Sequence, residues 1–210
     1  MNDQNTKTPP STSRILARLL CSVLVLGRSA MATDMTPSRW WADFGLGYGS
    51  MSAGSSAISN GGNGLWLELQ LGGRLNGRWL AGFNLGGIGI NPSDSNYDPN
   101  NHYSSVYGET ITNEFLAVQY EPKSDHGWIF GAAGGPILYG NKALEDITGN
   151  SHSGNGWAVL GRTGYDWGIR ENVHLEAVLS LEQGRVSLSA PLTGQFDFTV
   201  IAASLHLAYH

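Results

Sequence analysis

Hydrophobic and polar positions alternate in eight stretches of this chain, and a period of two marks β-strands with two unlike faces. The first stretch sets Trp40, Ala42, Phe44, Leu46 and Tyr48 against Trp41, Asp43, Gly45, Gly47 and Gly49. The second sets Leu65, Leu67, Leu69 and Leu71 against Trp66, Glu68, Gln70 and Gly72, and the third sets Trp79, Ala81, Phe83 and Leu85 against Gly82, Asn84 and Gly86. The fourth is less regular: Leu116, Val118 and Tyr120 share the apolar face, while Glu114, Ala117 and Gln119 have no fixed side. In the fifth, Trp128, Phe130 and Ala132 alternate with Ile129, Gly131 and Ala133, so both faces are apolar or small. The sixth opposes Trp157, Val159, Thr163, Tyr165 and Trp167 to Arg162, Gly164 and Asp166. The seventh opposes Val173, Leu175, Ala177, Leu179 and Leu181 to His174, Glu176, Ser180 and Glu182. The eighth opposes Ile201, Ala203, Leu205, Leu207 and Tyr209 to Ala202, Ser204 and His206. Each stretch is about ten residues, the length a tilted membrane-crossing strand needs.

The polar face carries Glu68, Arg162, Glu176 and Glu182. A water-soluble barrel hides its apolar face and keeps charge outside, so here the apolar face must meet lipid. Only a closed barrel lets a sheet cross a bilayer without orphaned edges. The expected fold is therefore all-β: an eight-stranded antiparallel up-and-down transmembrane barrel with a charged lumen. Connections after the second, fourth and sixth stretches are short, Asn76-Gly77 reading as a type I′ hairpin turn and 122–127 as a tight turn. Those after the first, third, fifth and seventh are long and polar. Short turns belong in the periplasm and long loops outside, which puts Trp40, Trp79, Tyr120, Trp128, Trp167 and Tyr209 at one level as a periplasmic aromatic girdle. Tyr48, Tyr139, Trp157 and Phe196 or Phe198 form the expected outer rim.

Composition adds a leader and removes several chemistries. Arg14 and Arg18 precede an apolar run over 19–26, and Ala30-Met31-Ala32 is a small-x-small cleavage signal, so residues 1–32 are expected to be a cleaved signal peptide and 33–210 the barrel domain. The apolar run is too short to span a bilayer as a helix. The single cysteine, Cys21, falls in the leader, leaving no thiol, disulfide or cysteine metal site. Without the leader, 8 basic and 16 acidic residues remain, a formal charge of −8. That acidity, with no basic cluster, argues against nucleic acid as a partner.

The string Trp-x-x-x-Phe-Gly-Leu-Gly-Tyr-Gly from Trp40, the Gly-rich strands and the aromatic-ended last strand resemble the small outer-membrane β-barrel family that includes the OmpA transmembrane domain and OmpX. The resemblance covers the chain from about Trp40 to His210. It implies a monomer in the cell outer membrane of a Gram-negative bacterium, surrounded by outer-membrane lipids and lipopolysaccharide and inserted by the barrel-assembly machinery. Such barrels usually end in Phe or Trp; here Tyr209 is penultimate and His210 last.

The lumen charges can be read as a structural plug, since ionisable groups at membrane depth pair with one another, or as a gate whose switching opens a narrow water path. Arg162 and Glu176, on adjacent strands, are the expected pair. Eight strands leave an interior mostly filled by side chains, which disfavours a large-solute pore. His174 and His206 point inward with Asp166 as the only nearby third ligand, too little for a metal site; no metal or other cofactor is expected. Asp94-Ser95-Asn96-Tyr97-Asp98 starts like a calcium loop, but Pro99 replaces the required Gly and Ser105 the required Glu. Ser151-His152-Ser153-Gly154-Asn155 is the only string suggestive of catalysis; it reads as a flexible loop, and no nucleophile, base and orienter come together. The expected role is structural or surface-interacting, with outer loops containing Tyr97, Tyr103 and Tyr107 meeting lipopolysaccharide or extracellular ligands. The alternatives are a lipid A-modifying enzyme, a small-solute channel and, last, a secreted lipocalin-like binder.

Overall fold

The computed structural model describes residues 40–54, 59–92, 109–122, 126–141, 152–170, 172–189 and 194–209. The leader expected over 1–32, the string from Asp94 to Ser105 and the tyrosines Tyr97, Tyr103 and Tyr107 lie outside the described residues. Eight strands follow in chain order: β1 Trp40–Gly54, β2 Ser59–Arg74, β3 Trp79–Pro92, β4 Glu109–Tyr120, β5 Gly127–Asn141, β6 His152–Arg170, β7 Val173–Leu188 and β8 Gly194–Tyr209. Each pairs antiparallel with the next, and β8 pairs back onto β1, closing the barrel. From Trp41 the register passes through Gly72, Gly82, Ala117, Ala133, Leu160, Glu182 and Val200 and returns to β1 at Met51, ten residues higher. A stagger of that size around eight strands requires a tilt of roughly 40°.

The two faces divide as the alternation predicts. Phe44, Leu46, Leu67, Phe83, Leu116, Phe130, Val159, Leu179, Leu205 and Leu207 are exposed on the outer wall, while Trp41, Asp43, Glu68, Asn84, Arg162, Glu176 and His206 are buried within. The ambiguous strands resolve: Ala117, Gln119 and Ile129 face inward, and Glu114 shares the outward side of β4 with Leu116.

The strands are longer than ten residues, running from 12 in β4 to 19 in β6. Sixteen residues at about 3.3 Å each, tilted by roughly 40°, rise about 40 Å, against an apolar band of about 25 Å for such barrels. The excess is at the end away from the short turns, and there the faces exchange character. Ser50 and Ser52 of β1, Asn155 of β6, Gln183 and Arg185 of β7 and Gln195 and Asp197 of β8 point outward. Between them Met51, Ile88, Ile90, Ile111, Phe115, Ile137, Val186, Phe196, Phe198 and Val200 pack into one buried cluster. The lower barrel is apolar outside and charged inside; the upper barrel is a water-facing collar with an apolar core. The boundary is level between neighbours, since Tyr48 pairs with Leu65 and Ser50 with Asn63, and Leu181 pairs with Ile201 and Gln183 with Thr199.

This inversion corrects several expectations. Tyr139, Phe196 and Phe198 belong to the collar's core rather than an outer rim; Tyr139 stacks edge-on against Phe196 at 5.1 Å. Tyr48 and Trp157 do point outward. The connection between β1 and β2 is only 55–58, because both strands extend into it. Ser153, Gly154 and Asn155 lie in β6, not in a loop. Asn76-Gly77 does not form a type I′ turn, which needs positive φ at both residues; Asn76 has none. Instead the Asn76 side-chain oxygen accepts from the backbone N–H groups of Arg78 (2.9 Å) and Trp79 (3.0 Å), so the side chain closes the turn.

Candidate functional site: the charged lower lumen

Inward positions of β1, β2 and β4 converge on Arg162 of β6. Alternation on β6 aims it inward, and Gly131, its register partner on β5, leaves room: a Cβ there would come within 2.7 Å of Arg162 Cγ. Its guanidinium donates to Asp43 Oδ2 from both terminal nitrogens at 3.3 Å, to Glu68 Oε1 at 3.2 Å and to the Gln119 side-chain oxygen. It also lies over the Trp41 ring, 6.0 Å from the centroid. Glu68 accepts further bonds from Trp66 Nε1 (3.2 Å), Gln70 and Asn84. The planar fork of arginine suits this job, because one side chain satisfies carboxylates on two strands at once.

Of the four charges singled out from the sequence, Glu68 and Arg162 meet directly, while Glu182 stands higher and accepts from Asn113 Nδ2 at 2.9 Å. The pair expected between Arg162 and Glu176 is not made. Arg162 is the register partner of Ser180, and Glu176 that of Asp166, so the guanidinium reaches toward β1 and β2 instead. Among the described residues neither carboxylate oxygen of Glu176 has a hydrogen-bond partner, although the residue is fully buried.

The two inward histidines are held by different acids. His174 Nδ1 lies 2.8 Å from Asp166; His206 Nδ1 lies 2.9 Å from Asp43 Oδ1, with its Nε2 2.7 Å from Ser204 Oγ. Gly45 makes the space for the second ring, since a Cβ there would sit 2.3 to 2.7 Å from three His206 ring atoms. Below the cluster, Arg74 bridges to Glu121 at 3.0 Å. Asp43 is the residue that sequence reasoning left without a role. Its inward position was legible, but its partners lie on β6 and β8, reached only through barrel closure.

Of the six residues expected in the lower girdle, Trp79, Trp128, Trp167 and Tyr209 are exposed, and Trp40 and Tyr120 are half-buried. All six project from the outer wall near the short-turn end. Trp79 stacks on Tyr120 at 4.9 Å, and Tyr165 on Trp167 at 5.2 Å.

No family model matches the chain, and no curated protein matches it in sequence. Among solved structures it is similar to the crystal structure of Neisserial surface protein A (NspA), at 13% identity over 81% of this chain and 96% of that one, with a TM-score of 0.53. It is also similar to the outer membrane protein AlkL in lipid bilayers, at 13% identity over 98% and 96%, with a TM-score of 0.50. This chain has an outer-membrane barrel fold.

Within that barrel, the lower lumen is a network of buried charge whose members come from strands distant in sequence. Removing one partner strands the others, so the arrangement is rigid. Ser204, His206 and Asp43 do come together in the hydrogen-bond order of a nucleophile, base and orienter, contrary to the expectation that no such set could be assembled. Acyl transfer also needs space beside the hydroxyl and donors for the oxyanion. Ser204 is only 6% exposed, its Cβ lies 2.5 Å from where a Cβ on Gly47 would stand, and Arg162 already engages Asp43. The set as built is a structural relay.

Proposed function

We propose that this chain is a monomeric integral outer-membrane protein of a Gram-negative bacterium. In this reading the barrel is a closed anchor, and its collar and outer loops form a contact surface. The observation that carries it is the two-tier filling of the lumen: a hydrogen-bonded charge network below and a packed apolar cluster above. A water path would have to disrupt both, and rearranging Arg162 alone opens only the lower tier. That weighs against the small-solute channel, and the enclosure of Ser204 weighs against an acyl-transfer enzyme. The lipocalin-like alternative needs an apolar lumen along its length, whereas the lower lumen holds Arg162 and at least four carboxylates. On the outer face of the collar the exposed Trp157 neighbours the surface pair Arg185–Asp197 (2.6 Å). Such aromatic and charged groups suit contact with lipopolysaccharide or an extracellular protein.

The test is reconstitution. Detergent-folded protein should give a β circular dichroism spectrum and heat-modifiable gel migration, and planar bilayers containing it should show no conductance above lipid background. A steady conductance would overturn the closed anchor. Replacing 93–108 with a short Gly-Ser linker should leave folding unchanged and weaken binding to lipopolysaccharide micelles. A changed acyl count in lipid A from cells carrying the protein would establish the enzyme instead.

A further inference from the structure

Among the described residues the buried carboxylate of Glu176 has no hydrogen-bond partner, and what surrounds it is a ligand set. One donor atom each from Asp43, Glu176 and His206 lie within 4.8 Å of one another, all from buried side chains. Glu176 and His206 are direct register partners on β7 and β8, and Asp43 reaches His206 from β1. All three stand three residues from the short-turn ends of their strands, at Val173, Tyr209 and Trp40, one level inside the mouth. An ion entering from the periplasm would meet them without crossing the apolar tier.

Charge points the same way. Asp43, Glu68 and Glu176 share this level, and Arg162 is the one cation bonded to any of them among the described residues. With carboxylates ionised and imidazoles counted neutral, these three acids and Arg162 carry two negative charges in excess. Asp166, the register partner of Glu176 held by His174, adds to the negative field, so a divalent ion is favoured here. Arg162 bonds the first two acids and leaves the third bare. A buried carboxylate without a partner is among the costliest groups a protein can hold.

We propose that Asp43, Glu176 and His206 bind a divalent first-row transition cation, with Zn2+ as the probe. One imidazole and two carboxylates make a mixed nitrogen–oxygen set suited to such ions rather than to Ca2+ or Mg2+, which take oxygen alone. Metal–ligand distances of about 2.0–2.2 Å put neighbouring donors a little over 3 Å apart, so the three groups close inward by roughly an ångström. The ion takes the place of the hydrogen bond between Asp43 and His206 Nδ1. Nε2–H then donates to Ser204 Oγ, now 2.7 Å away, which fixes the ring and its tautomer as outer partners of metal-bound histidines do. The sequence had put His174 and His206 together with Asp166. The structure gives His174 to Asp166 and supplies Glu176 as the missing ligand.

Equilibrium dialysis of the chelator-washed, detergent-folded full chain against micromolar Zn2+ tests the site. Wild type should take up about one ion per chain, and Zn2+ should raise the temperature of its heat-modifiable transition. Glu176→Gln and Asp43→Asn should lose both effects while migrating as folded barrels. Uptake by Glu176→Gln equal to wild type, or no uptake by wild type, overturns the proposal; the closed anchor would still stand, since its readout is conductance. Should either variant fail to fold, X-ray absorption of the zinc-loaded wild type decides. One imidazole with oxygen donors sustains the site, and an all-oxygen or multi-imidazole shell refutes it.

Discussion

Replacing Arg162 with methionine removes the guanidinium while keeping a long side chain over Gly131. Asp43 and Glu68, both fully buried, then lose their cation, and Gln119 loses its donor. Breaking a buried ion pair from one side costs about 3–5 kcal/mol, because the remaining charge stays desolvated. Two stranded carboxylates put Arg162→Met at the upper end. At 1.4 kcal/mol per decade, this is a loss of roughly two to four orders of magnitude in the folding equilibrium. Urea titration of the barrel in lipid vesicles, followed by tryptophan fluorescence, would report it as a lower midpoint with an unchanged slope. Adding Asp43→Asn and Glu68→Gln to Arg162→Met should recover most of the loss, since the partners no longer carry charge. Conductance should stay at background throughout, because the apolar tier above is untouched. A loss below about 1 kcal/mol for Arg162→Met alone would show that the buried network is not what rigidifies the lower lumen.

Further tests address the collar, the wall and the turns. Phe198→Ala, emptying a ring-sized space in the upper core, should cost about 3–5 kcal/mol by the same titration. Ser50→Lys, above the level where the faces exchange, should be nearly neutral, whereas Leu205→Lys on the lower outer wall should cost about 2–4 kcal/mol; equal costs would misplace the bilayer boundary. Burial raises the Glu121 carboxyl above its ordinary value, outweighing the bonds from Gln119 and Arg74. A carboxyl that holds its proton more tightly when folded weakens the fold as pH rises from its ordinary value of 4.5 through the raised one. Wild type should therefore lose stability relative to Glu121→Gln over that climb, and an opposite slope would refute it. A fluorophosphonate should leave Ser204 unlabelled in the folded barrel, as mass spectrometry would show.

The wall was legible because each strand writes its own sidedness: in β7, Leu175, Leu179 and Leu181 against His174, Glu176 and Glu182 fixes both faces without reference to any neighbour. Even β5, apolar on both faces, is settled once β4 and β6 hold it in register. The collar was misread because Phe196 and Phe198 look alike inside a core and at a membrane rim. Only the exchange of polarity at Gln195, Asp197 and Thr199 tells them apart, and it shows clearly once the strands are known to continue. The lumen partners were the least legible. Even across the short turn between β6 and β7, where the register shifts near Gly168, Glu176 faces Asp166 rather than the expected Arg162. Arg162 finds Asp43 and Glu68 across the interior at sequence separations of 119 and 94. Tilt and closure decide those meetings, and no local pattern encodes them.

The first and last strands share a joint that no turn links, and the bond between Asp43 and His206 spans it across 163 positions of chain. During biogenesis Asp43 emerges near the start of the domain and waits for a clasp that arrives almost at its end. Until then its carboxylate is better off hydrated, which favours an open, wet cleft in any partly zipped cylinder. Fastening that cleft buries the acid and shuts the wall in one event, so the polar interior serves as a latch that sets only when the cylinder is whole.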